Sequence, residues 1–266
     1  MNDSNAVTRI ASRYSGPPRT GNGGYVCGVC AGLAYSQLGE QKQDSFTFEV
    51  RYKSPVPVDL DVSLLSKDNL CVLESIDGKT TYAEGQSSKP VSTVLPAVVT
   101  LEQARYATLQ SIPEKEHAFP DCYVCGPARK VGDGLRILPG PVAEHSGMAA
   151  AVWNVLPDAM SSSGDLSVPI LWAALDCPGY FAYHFSHGGA MQVAVLAKMK
   201  CTVIRPRTES DQLVVIGWMK RKKGPLVEVS TALLDGSEIL AIADGTWMQP
   251  ASWNPENTGH KSPQYS

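Results

Sequence analysis

Small and apolar residues fill one stretch near the start of the chain, and shorter strand-like segments follow it. Residues 20–36 are apolar on nearly every side when placed on a helix, which is typical of a buried helix. Four segments with strand-like patterns come next, at 46–52, 60–65, 70–76 and 80–85, with turn-forming residues between them. This part of the chain is therefore predicted to form one buried helix and a meander of about four strands.

The same order of elements recurs further along the chain. The predicted elements are strands at 134–142 and 148–155, a helix at 168–182, and strands at 193–204, 213–220, 226–234 and 239–248. The repeat predicts an α+β fold with two similar domains that pack as a pseudo-dimer. Open edges of such a sheet would also allow a homodimer.

The domain boundary is predicted between the two series of elements, within residues 97–120. We expect an N-terminal domain at 15–110 and a C-terminal domain at 111–250. The flanking segments 1–14 and 251–266 are polar with few large apolar residues, so we expect tails that are loosely attached or lie over the surface.

Composition narrows the class of protein. The chain has 266 residues, of which 43% are hydrophobic and 18% charged, and its formal net charge is -3. These values indicate a globular protein and disfavour nucleic acid as a partner. No apolar run is long enough to span a bilayer, and the first residues lack the features of a secretory signal, so we expect a cytoplasmic protein. Several of the 7 cysteines lie in apolar segments, where reduced thiols pack as small hydrophobes.

Five strings, in order along the chain, carry a resemblance to a known family. They are 21–24 (Gly-Asn-Gly-Gly), 46–55, 120–127 (Pro-Asp-Cys-Tyr-Val-Cys-Gly-Pro), 134–137 (Gly-Leu-Arg-Ile) and the apolar run 171–179. Together they resemble the hotdog-fold thioesterase superfamily, in which an antiparallel sheet wraps around a long helix. Their arrangement in two halves is similar to the double-hotdog acyl-CoA thioesterase II type. The resemblance implies two tandem hotdog domains that hydrolyse an acyl-CoA, or an acyl-carrier-protein thioester, without a cofactor.

Thioester hydrolysis needs donors for the developing oxyanion and a carboxylate that activates water or attacks the carbonyl. Gly23 and Gly24 would let a carbonyl approach the unpaired N–H groups at a helix start, and Asn22 could add a side-chain donor. Asp176 lies in an apolar helix, where burial raises the pKa of a carboxyl and favours a base near neutral pH. Pro178 lacks an N–H, so the helix should kink or end just past Asp176. These four residues, Asp176, Asn22, Gly23 and Gly24, are the candidate catalytic residues.

Each half lacks one part of the site. By the family's spacing, the position of the acid falls on Ala31 in the first half, and the glycine positions fall on Val168 and Pro169 in the second. We therefore expect one composite site across the pseudo-dimer interface and an inactive second site. Two structural alternatives stay open: Asp176 could cap the kink at Pro178, and the glycines could serve tight helix packing.

Further polar residues are candidates for substrate contact. Tyr25 and Tyr180 could supply polar groups to the substrate, as could Asp244. Arg205 and Arg207 could meet the phosphates of coenzyme A, and so could the basic run 220–223, although a charged hairpin turn often serves solubility alone.

Two other functions remain possible from the sequence. The Thr and Gln used by acyl-CoA thioesterase II enzymes have no evident counterpart in the strands at 194–198 and 240–245, which favours a non-catalytic protein that binds an acyl group or another ligand. A hotdog hydratase or dehydratase resembles chains with an Asp and a His close together on the catalytic segment. No such pair accompanies Asp176.

Two Cys-x-x-Cys pairs raise the question of a zinc site. Cys27 and Cys30 lie in a predicted helix, and they are much further from Cys122 and Cys125 than the pairs of ordinary zinc modules are from each other. We therefore expect no metal, and we expect Cys122 and Cys125 to pack where the chain enters the second domain.

Overall fold

One antiparallel sheet runs through the part of the chain that the computed structural model describes, which is residues 4–37, 45–67 and 70–251. The strands are β1 (Ser4–Arg9), β2 (Phe46–Tyr52), β3 (Asp61–Lys67), β4 (Leu70–Ser75), β5 (Thr81–Ser87), β6 (Gly140–Pro141), β7 (Met148–Asn154), β8 (Val195–Val203), β9 (Gln212–Lys223), β10 (Leu226–Asp235) and β11 (Glu238–Met248). The helices are α1 (Gly23–Gln37), α2 (Leu101–Leu109), α3 (Val168–Ala174) and α4 (Cys177–His187). The strand order is β1-β3-β4-β5-β2-β8-β11-β10-β9-β7-β6.

The two halves of the chain meet at the centre of the sheet. Strands β2 and β8 pair antiparallel, with Phe46 opposite Val203, and the buried hydroxyls of Thr47 and Thr202 lie 2.9 Å apart. Helix α1 of the first half packs against α3 of the second half. The predicted pseudo-dimer of two helix-and-sheet units is therefore confirmed.

Glycine lets α1 and α3 approach closely. A Cβ atom added to Gly28 would lie 2.5 Å from the Cα of Pro169 and 2.9 Å from the Cβ of Trp172, which is closer than atoms pack. The small residues of α1 thus have two effects. They make the helix apolar on nearly every side, and they let it pack closely against α3.

The second half of the sheet is covered on both faces. Alternate residues of β7 point to opposite sides, so Trp153 lies in the core with the helices and Val152 lies in a second core on the other face. Residues 91–101 and α2 close this second core, and Thr100 begins α2 with a capping box that includes Gln103. The connecting segment between the halves is therefore part of the fold.

The prediction of a strand at 134–142 is wrong over most of its length. Leu135 and Ile137 are buried, but their N–H groups donate to the carbonyls of Tyr123 and Val124 at 2.9 Å each, in a loop rather than a sheet. Only Gly140–Pro141 pairs with β7.

Two other elements differ from their predicted form. The predicted helix at 168–182 is two helices, because α3 ends at Ala174 and α4 runs from Cys177 to His187. Residues 4–9 of the expected N-terminal tail form β1 and pair with β3, so this segment is held in the sheet rather than loosely attached. Residues 252–266 of the expected C-terminal tail lie outside the described residues, and the domain limits stay a prediction.

Among the helices of the described ranges, none is long and apolar enough to cross a membrane.

Candidate active site

Asp176 lies at the break between α3 and α4. Pro178, near the start of α4, cannot donate the N–H that would continue the helix, as the sequence predicted. The hydroxyl of Thr231 on β10 donates to the carbonyl of Leu175 at 2.8 Å, which satisfies a backbone group that the break leaves without its helical partner. Because of the break, Asp176 lies between the two helices, and its side chain is directed towards the first half.

The carboxylate of Asp176 is held by residues of the other half. Its Oδ2 accepts one hydrogen bond from Nδ2 of Asn22 and one from the backbone N–H of Gly24, each at 2.9 Å. Its Oδ1 is buried and has no hydrogen-bond partner in the described part of the chain. The structure thus brings Asp176, Asn22 and Gly24 together across the interface between the halves.

Burial has the largest effect on the pKa of the Asp176 carboxyl. Only 3% of Asp176 is exposed, and desolvation raises the pKa of its carboxyl to about 7. The hydrogen bonds from Gly24 and Asn22 lower that pKa, whereas the nearby Cys122 raises it. A carboxyl with these properties is suited to proton transfer near neutral pH.

The two glycines have different surroundings. A Cβ added to Gly24 would lie 2.6 Å from the carbonyl oxygen of Trp172 and 2.7 Å from Cβ of Asp176, so glycine is required there by helix packing. Gly23 lines the cavity described next, and its carbonyl accepts a hydrogen bond from the Tyr52 hydroxyl at 2.8 Å. As the first residue of α1, Gly23 has an N–H without an intrahelical acceptor.

A cavity of about 620 Å³ opens beside the carboxylate and is formed by both halves. Its wall includes Asn22, Gly23, Asp176 and Tyr180 from the predicted site. The apolar and aromatic part of the wall includes Tyr52, Val56, Phe119, Phe181, Met191, Leu196, Trp247 and Met248. Such a wall suits an apolar acyl group.

Three predicted substrate-binding residues lie elsewhere. The Tyr25 ring stacks on Tyr14 with the ring centroids 3.9 Å apart and does not line the cavity. Arg205 pairs with Glu238, and Arg207 pairs with Asp165 at 3.3 Å. Because these side chains serve local packing and ion pairs outside the cavity wall, the structure does not bring them to the acyl site.

The basic run 220–223 and Asp244 also serve other contacts. Arg221 pairs with Glu228 at 2.7 Å, and Lys220 pairs with Asp244 at 3.2 Å. Asp244 further accepts from the buried Ser230 hydroxyl at 2.6 Å. None of these residues lines the cavity.

Two features of the cavity wall were missed from the sequence. His117 is buried, its Nδ1 accepts from the N–H of Phe119 at 3.0 Å, and its Nε2 has no partner among the described residues. Cys177 joins Cys122 and Cys125 in the same wall. The position of His117 in the same wall as Asp176, and the approach of Cys177 to the two other cysteines, both depend on residues far apart in the chain. Only the Cys-x-x-Cys pair gave a local signal.

Comparisons with known proteins found similarity at the level of structure. Neither family models nor curated protein sequences gave a match. A protein from Thermobifida fusca provisionally named thioesterase II is 12% identical, and the match covers 93% of this chain and 94% of that one with a TM-score of 0.61. A protein from Lactobacillus plantarum provisionally named oleoyl thioesterase is 7% identical, with 94% and 98% covered and a TM-score of 0.57.

Dehydratases share the same architecture. A dehydratase domain from Pseudomonas fluorescens is 16% identical, with 92% of this chain and 94% of that one covered and a TM-score of 0.60. At identities this low the similarity establishes the fold but not the activity, which has to be inferred from the residues of the site. The chain has the α+β hotdog fold that these thioesterase-type and dehydratase structures share.

Proposed function

We propose that the chain hydrolyses an acyl thioester to a free acid and a thiol at the Asp176 site. The observation that carries the proposal is a buried carboxylate, fixed by Asn22 and Gly24 of the other half, in the wall of a largely apolar cavity. The carboxylate is held only through Oδ2, and its buried Oδ1 has no hydrogen-bond partner in the described part of the chain. This arrangement supports catalysis over a purely structural acid, which would use both oxygens in local hydrogen bonds.

The reaction can be written with these groups alone. Asp176 takes a proton from water while the water oxygen bonds to the thioester carbonyl carbon, and negative charge develops on the carbonyl oxygen. We assign the stabilisation of that charge to the first-turn N–H of Gly23, because the N–H of Gly24 already donates to Asp176. The C–S bond then breaks, and the thiolate receives the proton from Asp176. Direct attack of Oδ1 on the carbonyl, followed by hydrolysis of the anhydride, is the alternative course.

The same proposal includes the thiol and the acyl chain of the substrate. Coenzyme A is the thiol we propose, from the resemblance to the acyl-CoA thioesterase II type, with a carrier protein as the alternative. The aromatic and aliphatic cavity wall supports an apolar acyl chain. A homodimer also stays part of the proposal.

The test is release of free thiol from short, medium and long acyl-CoAs by wild type and Asp176→Asn. General acid–base groups contribute about 10² to 10⁴ in rate, so we expect a loss of that size in the variant. Asp211→Asn, the same change at an exposed position, is the control and should keep wild-type activity. Absence of release by wild type with every substrate would contradict the proposal and favour a non-catalytic acyl-binding protein.

His117 favours one other activity specifically. The sequence gave no reason to place a His beside Asp176, but the structure puts His117 and Asp176 in the wall of one cavity. An acid and an imidazole in one cavity are the groups that hydration or dehydration of an acyl chain needs. His117→Asn can still accept from the N–H of Phe119, so it isolates the loss of Nε2.

The test is hydration of an enoyl-CoA. If wild type catalyses it and both His117→Asn and Asp176→Asn lose it, the hydratase replaces the thioesterase as the proposed function. Thiol release that persists in His117→Asn, without hydration by wild type, would support the thioesterase.

A further inference from the structure

Three buried thiols converge in the cavity wall. The Sγ atoms of Cys122, Cys125 and Cys177 all lie within 4.8 Å of one another, and those of Cys122 and Cys177 are 4.0 Å apart. Each residue is at most 4% exposed. The first two come from one loop and the third is the first residue of α4, so the fold builds the cluster from two separate segments.

The loop that carries the first two thiols forms a tight backbone turn between Cys122 and Gly126. The N–H of Gly126 donates to the carbonyl of Cys122 at 2.9 Å. A Cβ on Gly126 would lie 2.4 Å from that same carbonyl oxygen, so the turn admits only glycine there. Nδ2 of Asn22 also lies 3.8 Å from the sulfur of Cys122 as a donor. A donor aimed at a sulfur favours the thiolate, which is the form that binds metals.

The cluster differs from the zinc site considered for the sequence. Cys27 and Cys30 lie in α1, and Cys30 interacts with Cys71 rather than with the second Cys-x-x-Cys pair. The third thiol comes instead from Cys177, which lies 52 positions after Cys125 and has no local sequence signal. Helix α4 starts there because of the break at Asp176, so the same break positions both the carboxylate and the third thiol.

We propose that Cys122, Cys125 and Cys177 bind one Zn²⁺ ion, with its fourth position facing the cavity. Zinc–thiolate bonds of about 2.3 Å place the sulfurs of a tetrahedral site roughly 3.8 Å apart, so the thiols need to close by about 1 Å or less. Three protein ligands with one open position are the usual arrangement of zinc sites that exchange a ligand. Water from the cavity fills the fourth position.

His117 is excluded as the fourth ligand by its own hydrogen bond. Because Nδ1 accepts from the N–H of Phe119, the neutral ring carries its proton on Nε2, which is then a donor and has no lone pair for a metal. That buried Nε2–H has no partner in the described ranges and lies in the same cavity wall. It is available to donate to a metal-bound water or hydroxide. The buried donor is a second observation that points to a polar ligand in this part of the cavity.

The test uses cobalt as a spectroscopic substitute for zinc. The reduced full-length protein, stripped of metal with a chelator, is titrated with Co²⁺ under nitrogen. We expect one equivalent to bind with the absorption of tetrahedral thiolate coordination, and Zn²⁺ to abolish that absorption. Cys177→Ser and Cys122→Ser should lose the spectrum. Cys201→Ser, an equally buried cysteine on β8, is the matched control and should retain it.

A second measurement needs no variant and therefore does not depend on whether the serine variants fold. The wild-type protein is alkylated with and without Zn²⁺, and each cysteine is quantified by mass spectrometry after digestion. Zinc should slow modification of Cys122, Cys125 and Cys177 at least tenfold relative to Cys201. Wild type without cobalt absorption, or without selective protection, would overturn the proposal. Neither readout uses thioester hydrolysis, so the metal site and the proposed function can fail separately.

Discussion

At the scale of single residues, Asn22 connects the helix start to the carboxylate. Its Oδ1 accepts from the N–H of Tyr25 at 2.9 Å, which is an N-cap contact for α1, and its Nδ2 donates to Asp176. One side chain therefore stabilises the first turn of α1 and positions the acid. The two roles use different atoms, so they can be separated by substitution.

We expect Asn22→Ala to lose both roles and Asn22→Ser to lose only one. A serine hydroxyl can cap the helix but is too short to reach the carboxylate, whereas alanine does neither. Alanine should lower the free energy of unfolding by about 1 kcal/mol or more for the lost cap. Both variants should lower kcat for thioester hydrolysis about tenfold or more, since a hydrogen bond to a charged group is worth about 1.5–3 kcal/mol.

Thermal unfolding and thiol release, measured on the same preparations, check this expectation. An Asn22→Ser variant with wild-type kcat would show that the amide donor is not needed by Asp176.

At the scale of elements, the sequence predicted what depends on local pattern. A buried helix was predicted at 20–36 because nearly every position is small or apolar, and α1 occupies Gly23–Gln37. Phe46–Tyr52 was predicted as a strand next to turn residues. Pro178 predicted the interruption near Asp176. The family's spacing predicted that Asp176 and the start of α1 would share one composite site, but not that Asn22 and Gly24 would donate to the carboxylate itself.

What the sequence could not supply depends on contacts between distant segments. Nothing local indicates that Thr231 satisfies the carbonyl of Leu175, or that Cys177 lies beside Cys122. The segment 134–139 was misread because its buried apolar residues alternate as in a strand, although its backbone pairs with a loop. The sequence likewise gave no local sign that Arg207 pairs with Asp165, which lies 42 positions earlier.

The contact between α1 and α3 gives a prediction with an internal control. Gly28→Ala would place Cβ 2.5 Å from the Cα of Pro169, so the helices must separate. We expect a loss of about 1–3 kcal/mol in the free energy of unfolding, although alanine is the better helix former. At Gly32 the same Cβ would be 3.8 Å from its nearest neighbours, which is ordinary contact, so Gly32→Ala should gain up to about 1 kcal/mol.

Urea unfolding of the two variants measures the difference directly. Equal effects at the two positions would mean that the close approach of the helices does not depend on Gly28.

At the scale of the molecule, neither half carries a complete site or a complete sheet. The acid comes from the second half and its donors from the first, while β2 and β8 pair through the middle of the sheet. Separation of the halves would expose the β2 and β8 edges and leave Asp176 without its partners. The contacts that build the site are therefore the same contacts that join the halves.

This coupling predicts that the two halves unfold as one unit. All 5 tryptophans lie after residue 150, so tryptophan fluorescence reports the second half and, through Trp172, its contact with α1. Leu73 on β4 of the first half is fully buried, and truncation of such a leucine costs about 2–5 kcal/mol. Leu73→Ala should therefore lower the urea midpoint seen by fluorescence as much as the midpoint seen by far-ultraviolet circular dichroism. Leu213→Ala on β9, equally buried in the second half, is the control and should shift both signals together. If the fluorescence midpoint stays at its wild-type value in Leu73→Ala while circular dichroism shows two transitions, the halves are independent and the shared sheet does not couple them.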